Sequence, residues 1–269
     1  VGGAERSARK RKQGQTTAGA TAVAAARGSG GRLKVIVGVV VVVLLIAGAV
    51  IGGVVYTNNK RNRTEGQTIA AAQTSLQVAI KRDGAVVEVG SADAKATIDV
   101  YEDFLCPACR EFEAGNAARI EARVADGSLR VRYHVLNMLN EQSDPAGYST
   151  DSANAALLAA DEGKFVQFHK SLFDNQPEEG SRGWSKDQLV ELGRSLGLTG
   201  QAFADGVRSG KYDSLVTAEF DRARSDDSLK QDVGDGRKAF GTPTIVRDGK
   251  AVDTSSDRWV DDLVGAGRS

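Results

Sequence analysis

Cys106 and Cys109 are the only cysteines in a chain of 269 residues, and they lie three apart in the run EDFLCPACREFE, Glu102 to Glu113. Such a pair can be a structural staple, half of a metal site, or a redox reagent. A bridge across two intervening residues closes a very small loop and restricts the unfolded chain little, so a staple is a poor use of it. A metal site needs about four ligands, and the only further soft candidates are His134 and His169. His134 falls in a strand pattern and His169 sits among Phe165, Phe168 and Phe173, which reads as packing or surface. A cysteine–histidine nucleophile pair stays open but lacks a third, orienting group.

Position favours the redox reading. Pro107 suits the first position of a helix, where its missing N–H costs nothing. That puts Cys106 at a helix N-terminus, where free N–H groups and the macrodipole favour a thiolate. Cys109 follows on the same helix face. Cys106 is therefore expected as the exposed nucleophile and Cys109 as the resolving thiol. An external thiolate would attack the Cys106 sulfur of the disulfide, or reduced Cys106 would attack a substrate disulfide and Cys109 would resolve the intermediate. The Cys106–Cys109 couple is its own redox centre, so neither a soluble cofactor nor a metal is expected.

Around the pair, the pattern of residues marks the elements that must hold it. AVVEVG and ATIDVYEDF alternate as strands, Pro107 to about Val124 is helical, and LRVRYHVL, Leu129 to Leu136, alternates again. This is the strand–helix–strand unit of a parallel sheet. Helical spacing then recurs over Asp151–Asp161, Lys164–Phe173, Lys186–Leu196, Gln201–Ser209 and Ser214–Ala223. GTPTIVRDGKAV reads as a hairpin about an Asp-Gly turn. Ser255 or Ser256 would cap a final helix bearing Trp259, Val260, Leu263 and Val264. The expected fold is α/β: a βαβ…ββα core interrupted by a helical insertion at about 145–232.

The N-terminal quarter differs in kind. Residues 1–34 carry eight basic residues against one acid, Glu5, and read as a disordered basic cytoplasmic tail. VIVGVVVVVLLIAGAVIGGVV, Val35 to Val55, has no charge or amide. As a helix it would be roughly 30 Å long, a bilayer core's thickness. We expect a single transmembrane helix over 35–56, a signal-anchor with its N-terminus cytoplasmic by the positive-inside rule. Residues 57–72 read as a linker and 73–269 as an extracytoplasmic domain. A cleaved signal peptide is the alternative, since Ala47-Gly48-Ala49 resembles a cleavage site. Both place the domain outside, where disulfides persist. Formal net charge is zero, which gives no electrostatic case for nucleic acid.

GSADAKATIDVYEDFLCPACREFE, Gly90 to Glu113, resembles the entry segment of the DsbA-like thioredoxin-fold disulfide oxidoreductases, in particular the membrane-anchored form of Gram-positive, actinobacterial-type bacteria. GTPT, Gly241 to Thr244, resembles their second signature, about 135 residues after Cys106. The likeness spans roughly residues 85 to 265. It implies a thioredoxin-like fold with a cis Thr242–Pro243 bond facing the disulfide, where the Thr242 backbone would pair with an extended substrate. It also implies oxidation of cysteines in exported proteins, with a quinone-linked membrane reoxidase of the DsbB or vitamin K epoxide reductase type as partner. Two departures bear on redox strength. Cys106-Pro107-Ala108-Cys109 has Ala108 where strongly oxidising members often have histidine, and Val100 stands where relatives carry a buried acid. Glu102 and Asp103 are candidate modulators, or else solvated loop acids. A reductase or isomerase on the same fold, and a non-catalytic peptide-binding or chaperone-like module, are the alternatives.

Overall fold

The computed structural model describes residues 30–232 and 234–265, with side chains from residue 45 onward. The expected tail up to residue 29 lies outside them, as do the side chains of the first half of the expected span. Helix α1 (Gly30–Arg61) continues five residues past the expected end at Tyr56, because TNNKR contains no glycine or proline to stop it. Its apolar side chains Leu45, Ile46, Val50, Ile51, Val54 and Val55 are 52% to 68% exposed. Among the described residues no helix is long and apolar enough to cross a membrane.

Residues from Asn59 onward form a separate compact unit. The stretch expected as a linker is packed into it. Thr64, Ile69 and Ala72 are buried. The Thr64 hydroxyl donates to the Arg182 carbonyl at 3.0 Å, and the Ala72 N–H donates to Ser171 Oγ at 2.8 Å. These are mostly backbone and hydroxyl contacts, which a polar composition does not announce.

The sheet is then built in sequence order. A hairpin of β1 (Ile80–Asp83) and β2 (Val86–Val89) turns at Gly84, whose φ of 58° favours glycine. Next come β3 (Ala96–Glu102), α2 (Pro107–Ala125) and β4 (Leu129–Val135). The insertion contributes α3 (Tyr148–Asp161), α4 (Phe165–Asp174), α5 (Lys186–Ser195), α6 (Gln201–Ser209) and α7 (Asp213–Ser225). A short ribbon, β5 (Gln231–Asp232) with β6 (Lys238–Ala239), leads into β7 (Thr244–Arg247), β8 (Lys250–Ala251) and α8 (Trp259–Gly265). The six-stranded order is β1-β2-β4-β3-β7-β8. β3 and β4 are parallel, as the α2 crossover requires, and the other pairings are antiparallel. β1 was not expected, because three of its four residues, Lys81, Arg82 and Asp83, are charged.

Small side chains let the insertion close around α3. Ala153, Ala155, Ala156, Leu157 and Ala159 are fully buried there. Residues 256–258 form a turn rather than the expected first helical turn, and α8 starts at Trp259. The Trp259 ring packs on Phe112 of α2, and its indole N–H donates to Asn116 Oδ1 at 2.8 Å, pinning the helix that carries the cysteines.

Candidate active site

β3 ends at Glu102, and the chain turns through Asp103–Leu105 before entering α2. Buried Asp103 sets that turn. Its Oδ1 accepts the Leu105 N–H and the Ser149 hydroxyl, each at 2.8 Å, and its Oδ2 accepts the Leu139 N–H at 2.8 Å. Cys106 is the N-cap of α2, at φ −72° and ψ 117°, with Pro107 in the first turn and no side-chain cap. The first-turn N–H groups are thus left to the sulfur. Gln176, just past α4, donates to the Cys106 carbonyl at 2.9 Å. Both cysteines are free thiols. Cys106 is less open than expected, at 5% exposed against 0% for Cys109, because the loop before β7 covers it.

That loop comes from far along the chain. β7 pairs with β3, Thr244 opposite Tyr101, and this register lays Gly241–Pro243 against the Cys106 turn. The Thr242–Pro243 bond is cis. Cys106 Sγ donates to the Thr242 carbonyl at 3.4 Å, and the buried Thr242 hydroxyl has no other hydrogen-bond partner. Thr244 Oγ1 fixes the loop from behind, donating to the Gly241 carbonyl at 2.6 Å and accepting from Gln231 of β5 at 2.7 Å.

The two sulfurs are electrostatically unlike. A hydrogen bond from Cys109 is the largest influence holding Cys106 down at about 6. Burial opposes it, while the Thr242 side chain and the N–H groups of Cys109 and Ala108 assist. Ala108 thus contributes through its backbone what it cannot supply as a side chain. Burial, then the neighbouring Cys106, pushes Cys109 well above the ordinary thiol value. The arrangement can present a thiolate at Cys106 while keeping Cys109 protonated at neutral pH.

Glu102 and Asp103 are not solvated, at 1% and 0% exposed. The strand end and the turn lie beneath α2 and α3. Burial pushes Asp103 up to about 6, with the Leu139 and Leu105 N–H groups and Ser149 pulling the other way. Glu102 is hydrogen-bonded to His169 Nε2, and Glu113 of α2 completes a buried cluster. Burial drives Glu102 well above the carboxylate range and Glu113 up to about 8, and it drives His169 down. His169 is boxed by Phe104, Tyr133, Phe165 and Phe173, with ring centroids 4.8 to 5.6 Å away. The ligand-type atoms of Glu102, Glu113 and His169 lie within 4.8 Å of one another, the one such grouping among the described residues that could hold a metal ion. Val100, the position expected to lack an acid, is buried and apolar. Sequence reasoning passed over Glu113, the pairing of His169 and the grip of Gln176. The available signal was Glu113's position one turn after Cys109 on the same face.

Comparison with known proteins agrees with this geometry. Residues 82–262 match the family described as Thioredoxin. The serine/threonine-protein kinase PknE of Mycobacterium tuberculosis is 31% identical over 209 residues, covering 76% of this chain and 35% of the kinase. The chain thus spans about a third of the length of the curated relatives it matches. Oxidised DsbA of Mycobacterium tuberculosis superposes with TM-score 0.56 at 30% identity, covering 67% of this chain and 93% of that one. Reduced DsbG, a disulfide bond oxidoreductase of the same organism, gives 0.55 at 29%, covering 66% and 86%. With its paired sulfurs at the head of α2 and most of its length matched, the chain belongs to the thioredoxin family.

Proposed function

We propose that the protein is an extracytoplasmic thiol–disulfide oxidoreductase that oxidises cysteine pairs in exported proteins, with Cys106 as nucleophile, Cys109 as resolving thiol and the Thr242–Pro243 loop as the substrate-binding edge. The observation that carries this is the placing of Cys106 at the uncapped N-terminus of α2, against the Thr242 carbonyl and beside the fully buried Cys109, which favours a thiolate at Cys106 and a thiol at Cys109. A thiolate stabilised in the reduced state favours the dithiol product, so the disulfide form is the better oxidant. A substrate thiolate attacks Cys106, Cys109 departs, and a second substrate thiolate releases Cys106 as the substrate disulfide closes. The likeness to mycobacterial DsbA and DsbG supports this class of chemistry.

The apolar Val35–Val55 run and the exposed apolar side chains of α1 support a membrane anchor. The excess of basic residues before residue 35 supports an N-terminus in the cytoplasm. With no cysteine besides the pair, resetting the disulfide falls to a separate protein, for which we propose a quinone-linked membrane reoxidase. The test is equilibration of the chain with glutathione buffers and measurement of the oxidised fraction. A couple more oxidising than glutathione is expected; one well below it would make the protein a reductase.

A further inference from the structure

The Cys106 turn is held from two sides. Its sulfur meets the Thr242 carbonyl at 3.4 Å, and its backbone carbonyl accepts from Gln176 Nε2 at 2.9 Å. Gln176 is also a wall of a groove of about 550 Å³ to which the Gly241–Thr244 loop contributes nothing. The charged side chains of that groove are Lys60, Arg63, Arg110 and Glu178, three cations against one acid. Glu178 pairs with Lys60 at 3.1 Å and with Arg63 at 3.6 Å, so a single carboxylate serves both. Arg110 is exposed and has no ion-pair partner among the described residues. It stands one helical turn after the nucleophile, its N–H donating to the Cys106 carbonyl at 3.2 Å.

The groove between α2 and α4 makes a useful contrast. Arg110 borders it too, but there Lys170 stands with Glu113, Glu121 and Asp174, so positive charge is not in surplus. The walls of the cationic groove are fixed by hydrogen bonds within the protein. Gln188 Nε2 donates to the Thr64 and Gln67 carbonyls, each at 2.7 Å. Asn175 Nδ2 donates to the Ala70 carbonyl at 3.0 Å, and the Trp184 indole N–H donates to the Asn175 carbonyl at 2.9 Å. A preformed recess lined by one sign of charge concentrates ligands of the other sign. Its volume falls in the range of small-ligand sites, about 300–1,000 Å³, enough for a few residues of extended peptide.

We propose that this groove is a substrate subsite that selects acidic segments: when a substrate sulfur engages Cys106, carboxylates a few residues from that cysteine seat against Arg110, Arg63 and Lys60. The subsite rests on the reading of Cys106 as the nucleophile toward protein thiols. Arg110, unpaired and next to the nucleophile, is its main specificity-determining residue. Glu178 orders Lys60 and Arg63 in the free protein and competes with the incoming carboxylate for them. An anionic lipid headgroup carries the same charge. A polypeptide is favoured because Gln176 joins the groove to the nucleophile's own turn, so a chain bonded to Cys106 has the groove within its reach.

The test uses the oxidised full-length chain in neutral detergent and three dithiol peptides that differ only in their flanks: Asp and Glu, Asn and Gln, or Lys. Each kcat/KM is divided by the same peptide's rate with 2-hydroxyethyl disulfide, which removes the effect of the flanks on their own thiols. The acidic peptide should be favoured over its amide twin about tenfold at low salt, with the lysine peptide last, and the preference should shrink as salt rises. Arg110→Glu should reverse the order of the acidic and lysine peptides. Glu178→Gln should widen the acidic preference about threefold. Comparing peptides within one variant cancels any change in Cys106 reactivity, and the parent's ranking and its salt dependence stand without any variant. Equal normalised rates for the three peptides, or an acidic preference that Arg110→Glu leaves intact, would overturn the subsite and leave the exchange reading standing. Failure of every peptide to react would remove the exchange reading and the subsite with it. An Arg110→Glu effect seen only in phosphatidylglycerol vesicles, and neither in phosphatidylcholine nor in detergent, would assign the groove to lipid and overturn the proposal.

Discussion

Two buried histidines sit on opposite sides of the β3–β4 pair, each beside two carboxylates, and they do different things. His134 of β4 contacts Glu219 through Nδ1 at 2.6 Å and Asp99 through Nε2 at 2.8 Å. There Arg132 binds Asp99 and Arg222 binds Glu219, each at 2.5 Å, and Tyr101 stacks on the imidazole at 4.0 Å. Burial works against the charge on both acids. Even so, His134 and Arg132 hold Asp99 below the usual range, and Arg222 and His134 hold Glu219 at about 2. His169 has the same kind of neighbours without the arginines, so its acids are driven up instead. Where cations balance the carboxylates, the cluster fastens α7 to the sheet. Where they do not, the balance falls to protons, and proton-balanced acids beside a dithiol can take part in its chemistry.

Breaking the cation-balanced cluster should give the larger stability change. His134→Leu leaves two partly buried acids each short of a partner and should cost about 3 kcal/mol, read from denaturant unfolding, with exchange kinetics within about twofold of the parent. The proton-balanced side should respond to pH in the opposite sense. Because folding raises Glu113 to about 8, stability should fall as pH rises from the ordinary glutamate value toward 8, by a few kcal/mol. Glu113→Gln should flatten that slope in melts taken across the range. Asp99 and Glu219 are depressed by folding, so their contribution is complete only above the ordinary carboxylate range and is lost as pH falls, for Glu219 toward about 2. Asp103→Asn, which weakens acceptors for three donors, should cost about 2 kcal/mol and slow exchange by loosening the Cys106 turn. Gln176→Ala should have the smallest effect, about 1 kcal/mol or less, with a few-fold change in exchange rate.

What could be read from the chain alone follows the range of the interactions involved. α6 was expected at its observed bounds, and β3, α2 and β4 within a few residues, because hydrophobic period and caps are local. The cysteine pair and GTPT were readable as short signatures, although the contact between Cys106 and Thr242 depends on β3–β7 pairing. The charged strand β1 and the packing of residues 62–72 left no periodic trace. Glu113 and His169 come from separate helices and meet only because α4 packs against α2. Nor does anything local to Glu102 and Asp103 say that two acids beside the motif are buried, since insertion helices supply their cover.

The central claim, an ionised Cys106 beside a protonated Cys109, is tested most directly by alkylating the reduced protein across pH and identifying the labelled peptide sulfur. The account predicts labelling confined to Cys106 with a midpoint near 6. A midpoint at the ordinary thiol value, or labelling that begins at Cys109, would contradict it.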